Sequence, residues 1–344
     1  MRILAILLAV LLMLPVTVSA AEITAPPVPE AGEEWMPEKT DSFGEGLLAL
    51  LRKALDVAPE DLREAAGACL GVLAAVMLVS VLETMAVKQA GTLAGTAAVA
   101  GILLRCSQGL ITLGSDTVRE ISEYGKLLLP VMTTALAAQG GLTASTALFT
   151  GTAAFSAILS SLIAGMLVPM IYLFLALATA NSALGEPVLK QLRDLCKSGV
   201  VWTLKIMLTV YTTYMGITGV VSGTTDAAAL KAARMTVSSV VPVVGGILSD
   251  ASEAILVSAG FMKNAAGLYG IFAVLAVFLG PFVKIGCHYL LMKGTASVCA
   301  VFGNKGLSEL AGDFAGAMGL LLAMTGSACL MLLISTVCFM KGVG

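Results

Sequence analysis

The sequence predicts an all-α polytopic membrane protein with about seven or eight transmembrane helices, some broken at Pro and Gly. Three observations carry that prediction. Hydrophobic residues make up 58% of the chain and charged residues only 12%, against about 25% charged in an ordinary soluble domain. Mean hydropathy is +0.96. Beyond position 65 the apolar runs repeatedly reach the roughly 20 residues a helix needs to cross the hydrocarbon core. Residues 127–180 contain no Asp, Glu, Lys, Arg or His at all.

The elements follow in order. Arg2, an apolar run over 3–14, Pro15 and small residues at Val18, Ser19, Ala20 and Ala21 have the layout of a secretory signal peptide over 1–21. The apolar core is short for a membrane span. Residues 22–64 form an acidic segment, expected on the extracytoplasmic side because Lys and Arg favour cytoplasmic loops. Within it Phe43, Leu47, Leu51 and Leu55 recur every four residues, which predicts an amphipathic helix over 43–56. Such a stripe suits a membrane surface, a partner, or the protein's own membrane domain.

Residues 65–344 form the membrane domain. Residues 65–87 make the first span, and 90–104 a second one rich in Gly and Ala. Gly91, Gly95 and Gly101 leave flat surfaces for close helix approach. The polar residues 115–126 read as an interfacial helix or loop. Residues 127–180 allow two spans and a shorter element, with a break at Gly140-Gly141 and Pro169 inside the last piece. The basic stretch 184–198 reads as a cytoplasmic surface helix. Further spans are expected at 200–221, in two or three pieces over 237–301, and at 316–339.

Pro130 and Pro169 are matched by Pro242 and Pro281 under a constant shift of 112 residues. Val131/Val243, Leu136/Leu248, Phe149/Phe261 and Leu167/Leu279 keep the same register. The pattern predicts an internal duplication, 115–226 and 227–338, with the four prolines as helix kinks or hinges. Paired, Pro-interrupted segments are how many transporters build a site at a repeat interface.

No catalytic constellation is present, and the chain is expected not to be an enzyme. His288 is the sole histidine, so no His-based metal site can be assembled. The seven cysteines contain no C-x-x-C pair and read as small buried hydrophobes. No glycine-rich loop leads into Lys-Ser/Thr, so no nucleotide site is expected; nor is a cofactor or a nucleic-acid partner. The remaining functional candidates are charged or ionisable groups within apolar runs: Arg105, Lys205, and Lys284 with His288 one turn on. They read as the polar lining of a pore or a lipid-headgroup contact. The blander reading is a long side chain snorkelling to the interface. Hydroxyls crowd 143–161, where helix-to-helix hydrogen bonding is the expected role.

Three strings, LLLPVMTTALAAQGG (127–141), GEPVLKQL (185–192) and VSSVVPVVGGILSDASEAILVSAG (237–260), bring a family into view. With the signal peptide and acidic segment, the chain resembles the stage III sporulation protein AE family of endospore-forming bacteria, roughly over 43–339. The resemblance implies a non-enzymatic subunit of a channel or secretion-like complex linking mother cell and forespore and required for late forespore development. It implies partners among the other stage III proteins, including a separate ATPase and ring-forming proteins, besides membrane lipid. It also implies a place in the outer forespore membrane, on the mother-cell side. It assigns no catalytic residues. The alternative from the residues alone is a stand-alone permease with a site between two repeats.

Overall fold

The computed structural model describes residues 26–37, 42–84, 88–138, 142–217, 265–302 and 305–342. The signal-like residues 1–21, Pro242 and the opening of the second proposed repeat lie outside the described residues. Every regular element among those described is helical. One turn, α1 (Glu30–Glu33), precedes the long helices α2 (Phe43–Thr84) and α3 (Lys88–Ala138). Next come α4 (Leu142–Leu162), a π-turn (Ile163–Leu167), α5 (Val168–Leu184) and α6 (Pro187–Ile217), then α7 (Ala265–Val301) and α8 (Lys305–Gly342).

Five stretches are long and apolar enough to cross a membrane: Phe43–Val81, Leu93–Thr134, Ser145–Leu184, Gly267–Val301 and Lys305–Met340. The described residues therefore give five spans where the sequence led us to expect about seven or eight. Residues 237–264, where a further piece is expected, lie outside the described residues. α6, which carries most of the span expected at 200–221, is not among the five. The pieces at 90–104 and from 127 onward fall in one helix. The acidic helix at 43–56 and the apolar run that starts at 65 share one 42-residue helix, Phe43–Thr84, ~63 Å long at 1.5 Å per residue. The polar residues 115–126 do not interrupt anything either; they lie mid-way along the 51-residue α3. There Val118, Ile121, Tyr124 and Leu128 are buried while Arg119, Glu123 and Lys126 are exposed, the spacing of one packed helical face.

The prolines differ in their effect. Pro130 and Pro281 sit inside continuous α-helices. At Pro169 the helix type changes, with the π-turn ending just before it. A proline lacks the N–H that would bond the carbonyl four residues back, and its ring crowds that carbonyl. Here that residue is Gly165, inside the π-turn, where one wider turn relieves the crowding.

Packing fixes the directions of the helices. α2 and α3 form an antiparallel hairpin in which a Cβ on Gly95 would come within 2.1 Å of Val79. Gly101, by contrast, faces open space, so only one of these two glycines marks a close approach. Gly185, at φ +70°, closes α5 by donating its N–H to the Asn181 carbonyl at 2.8 Å. That left-handed position favours glycine, and Pro187 then opens α6, where a missing N–H costs nothing. α6 runs parallel to α8, because Lys190 faces Glu309, Arg193 faces Asp313, and Tyr211 bonds the Met331 carbonyl. The 112-residue shift lays the α5–α6 hairpin over α7–α8, and these two hairpins point the same way along the bundle.

α8 is the centre of the fold. It packs against α3, α4, α5, α6 and α7, and 94% of its most apolar stretch is buried. A helix apolar all round belongs inside. The acidic segment is fastened to this core as well. Phe43 stacks on Phe272 at 5.9 Å, and Leu50 is fully buried. Trp35 lies against Gly280, and Lys53 sits over the Trp35 ring while donating to the Glu34 carbonyl. The stripe expected from Phe43 to Leu55 splits accordingly. Each four-residue step advances about 40° around the helix, so Phe43 and Leu47 pack inward while Leu51 and Leu55 turn out to the surface.

Hydroxyls join the helices in the middle of the bundle. Thr152 and Ser335 share a hydrogen bond of 2.8 Å, and Ser122 and Ser156 share one of 3.3 Å. Tyr214 lies across Gly151 and donates its hydroxyl to the Ala147 carbonyl at 2.8 Å. We expect Tyr214→Phe to cost about 1 kcal/mol, the net worth of one such bond, and Gly151→Ala to cost more. A Cβ there would meet the Tyr214 ring at 2.1 Å. Thermal unfolding of the two variants in detergent checks the order; equal midpoints would contradict this packing.

Candidate functional cleft

Three of the four polar candidates converge. Arg105, on α3, and Lys284 and His288, on α7, line one cleft of about 670 Å³, completed by Glu64 and Ala68 of α2. Three helices thus supply it. α2 and α3 are antiparallel, so Glu64 and Arg105 reach similar levels from opposite directions. α7 runs beside α2, with Cys287 near the Ala58 carbonyl, and this brings Lys284 alongside Glu64.

The local chemistry is specific. Lys284 Nζ donates to Glu64 Oε2 at 2.6 Å. His288 Nδ1 lies 2.9 Å from the Lys284 carbonyl. A carbonyl only accepts, so Nδ1 carries the proton and donates, which leaves Nε2 as the second ring position. The i, i+4 relation seen in the sequence therefore carries a side-chain-to-backbone hydrogen bond along α7. His288 and Asp61 are both buried, and Asp61 feels the charges of Lys284, Glu64 and His288. Arg105 is exposed on the rim and has no ion-pair partner among the described residues. Apolar side chains of Ile102, Leu110 and Leu113 form the rest of the α3 wall.

Because the Lys284–Glu64 pair is over a third exposed at both ends, it contributes little to folding. We expect Glu64→Gln to shift stability by less than about 1 kcal/mol. A loss of several kcal/mol in a thermal or proteolytic assay would show that the pair is structural instead.

Lys205 is not part of this cleft. It is exposed on α6 beside Trp202 and Ile206, the surroundings of a lysine that lays its stem on apolar surface. Pro281 lies about one turn before Lys284 inside the continuous α7, and Pro169 adjoins the π-turn; neither lines the cleft.

A second polar centre escaped sequence reading. Arg193, on α6, donates to Asp313 of α8 at 2.5 Å and to Asp194 at 2.9 and 3.0 Å. Only 8% of the Arg193 side chain and 15% of the Asp313 side chain is exposed. Burial disfavours the Arg193 charge, but Asp313 and Asp194 outweigh it and hold the guanidinium pKa above its ordinary value. The available signal was Asp313 itself, the last charged residue of α8 before Lys341.

The five spans, the buried central helix and a charged cleft between helices define a polytopic helical membrane protein. Among the described residues no group of His, Cys, Asp and Glu is placed to hold a metal ion. The chain belongs to the stage III sporulation protein AE family, whose sequence profile matches residues 65–342. It is also similar to the Stage III sporulation protein AE of Bacillus subtilis (strain 168), with 22% identity over 195 residues, covering 56% of this chain. That alignment spans about half the length of the relative, 49%. No solved structure matches the chain.

Proposed function

We propose that this protein is a non-enzymatic integral membrane subunit of a sporulation channel or secretion-like complex that links mother cell and forespore. In this reading it sits in the outer forespore membrane, with residues 22–64 on the extracytoplasmic side. Its partners are the other stage III proteins, including a separate ATPase and ring-forming proteins. Family membership across 65–342 is the observation that carries the reading. The structure is consistent with it in two ways. Among the described residues the bundle core is filled by α8 rather than left open as a central path. The α5–α6 and α7–α8 hairpins run parallel, unlike the inverted pairs on which many alternating-access carriers are built.

The experiment is affinity purification of the tagged chain from sporulating cells, paired with deletion of its gene. Co-purification of an ATPase and ring-forming proteins, with arrest after engulfment, is the expected result. Solute uptake by the purified chain alone in vesicles, with no partner recovered, would replace this reading by a permease.

A further inference from the structure

We propose that the cleft between α2, α3 and α7 binds a phosphate group, the chemistry shared by anionic lipid headgroups and soluble phosphate, with Arg105 as the principal ligand and Lys284 as the second. This inference is independent of the assembly role. Size comes first: about 670 Å³ falls within the roughly 300–1,000 Å³ of small-ligand sites. Charge comes second. The lining carries Arg105 and Lys284 against Glu64, with the buried Asp61 close to Lys284. These carboxylates match Lys284, so Arg105 is the cation left to attract an anion.

Donor availability is the third point. The Arg105 guanidinium offers a planar fork of N–H donors suited to two phosphate oxygens, and none is engaged among the described residues. Lys284 has three donors and spends one on Glu64. His288 spends its Nδ1–H on the Lys284 carbonyl and adds no donor to this count. A cation fits poorly, since Glu64 is already matched by Lys284.

The walls add a preference for an amphiphile. Ile102, Leu110 and Leu113 continue from the charged rim along α3, so an acyl chain has an apolar track beside the phosphate. The rim residues Glu64, Arg105 and Gly109 are exposed, and the mouth is therefore open at the protein surface.

The test uses the purified full-length chain in nanodiscs of dioleoyl phosphatidylcholine with a minor share of dioleoyl phosphatidylglycerol. Native mass spectrometry then counts retained lipid. Wild type is expected to hold phosphatidylglycerol in preference to phosphatidylcholine. Arg105→Gln should lower that preference about tenfold, Arg105→Lys should keep part of it, and Lys205→Gln should leave it unchanged. A parallel arm measures binding of radiolabelled inorganic phosphate to protein in phosphatidylcholine alone. Arg105-dependent binding there, without lipid preference, supports a soluble phosphate as the source. Equal retention of both lipids with no phosphate binding overturns the proposal. So does an Arg105→Gln protein that elutes and melts like wild type and still prefers phosphatidylglycerol. Should Arg105→Gln fail to fold, wild-type selectivity and its competition by inorganic phosphate still decide.

Discussion

Replacing Arg193 with leucine should destabilise the protein by about 3 kcal/mol, at the low end of the range for breaking a buried ion pair. The side chain is almost fully enclosed between α6 and α8, and its removal leaves Asp313 facing the interior. Lys197 lies close enough to Asp313 to soften the loss, which keeps the figure at the low end. The more telling variant is the double substitution Arg193→Leu with Asp313→Leu. Removing both charges leaves nothing uncompensated, and apolar replacements of buried pairs are often neutral or better. The double variant should therefore melt well above the single one, by fluorescence-detected chromatography of heated detergent extracts. If the double variant instead melts as low as the two single losses added, the pair is not coupled as described.

Replacing Gly46 with leucine should cost about 2–3 kcal/mol, the usual scale of overpacking. A Cβ at that position would come within 2.2 Å of the Phe272 ring. Phe272 is fully buried and stacked on Phe43, so the ring has nowhere to swing. α2 must move off α7 instead, and with it the acidic segment. Adding Phe272→Leu to Gly46→Leu makes room for the new side chain, and the pair should recover part of the loss. Contacting residues are where such non-additivity is expected. Limited proteolysis of the N-terminal segment gives the readout. Protection unchanged in the single variant would mean that the segment is held some other way.

The membrane class was legible in the sequence because composition and run length depend on no long-range contact. Helix ends were harder to read. Residues 115–126 look like an interruption when charge is counted, yet their buried positions keep one face against the core, and the helix passes through. Lys284 and His288 could be paired from spacing, since four residues make one turn. Their meeting with Arg105 and Glu64 depends on how three long helices align, which local pattern does not encode. Arg193 and Asp313 were hidden for the same reason, 120 positions apart. Lys205 looked like Lys284 in sequence, each a lone cation in an apolar run. Only packing separates an outward-facing residue from one at a helix junction.

The burial of α8 also bears on how the protein is made. This helix leaves the ribosome after all the others described, yet it occupies the middle of the finished bundle. Until it arrives, α3, α4, α5, α6 and α7 must wait in the bilayer with their inward faces covered only by lipid or by one another. Insertion of α8 then fills the bundle made by the other described helices. A nascent chain stalled before position 305 would present to the membrane quality-control machinery an open groove as long as the helix it lacks.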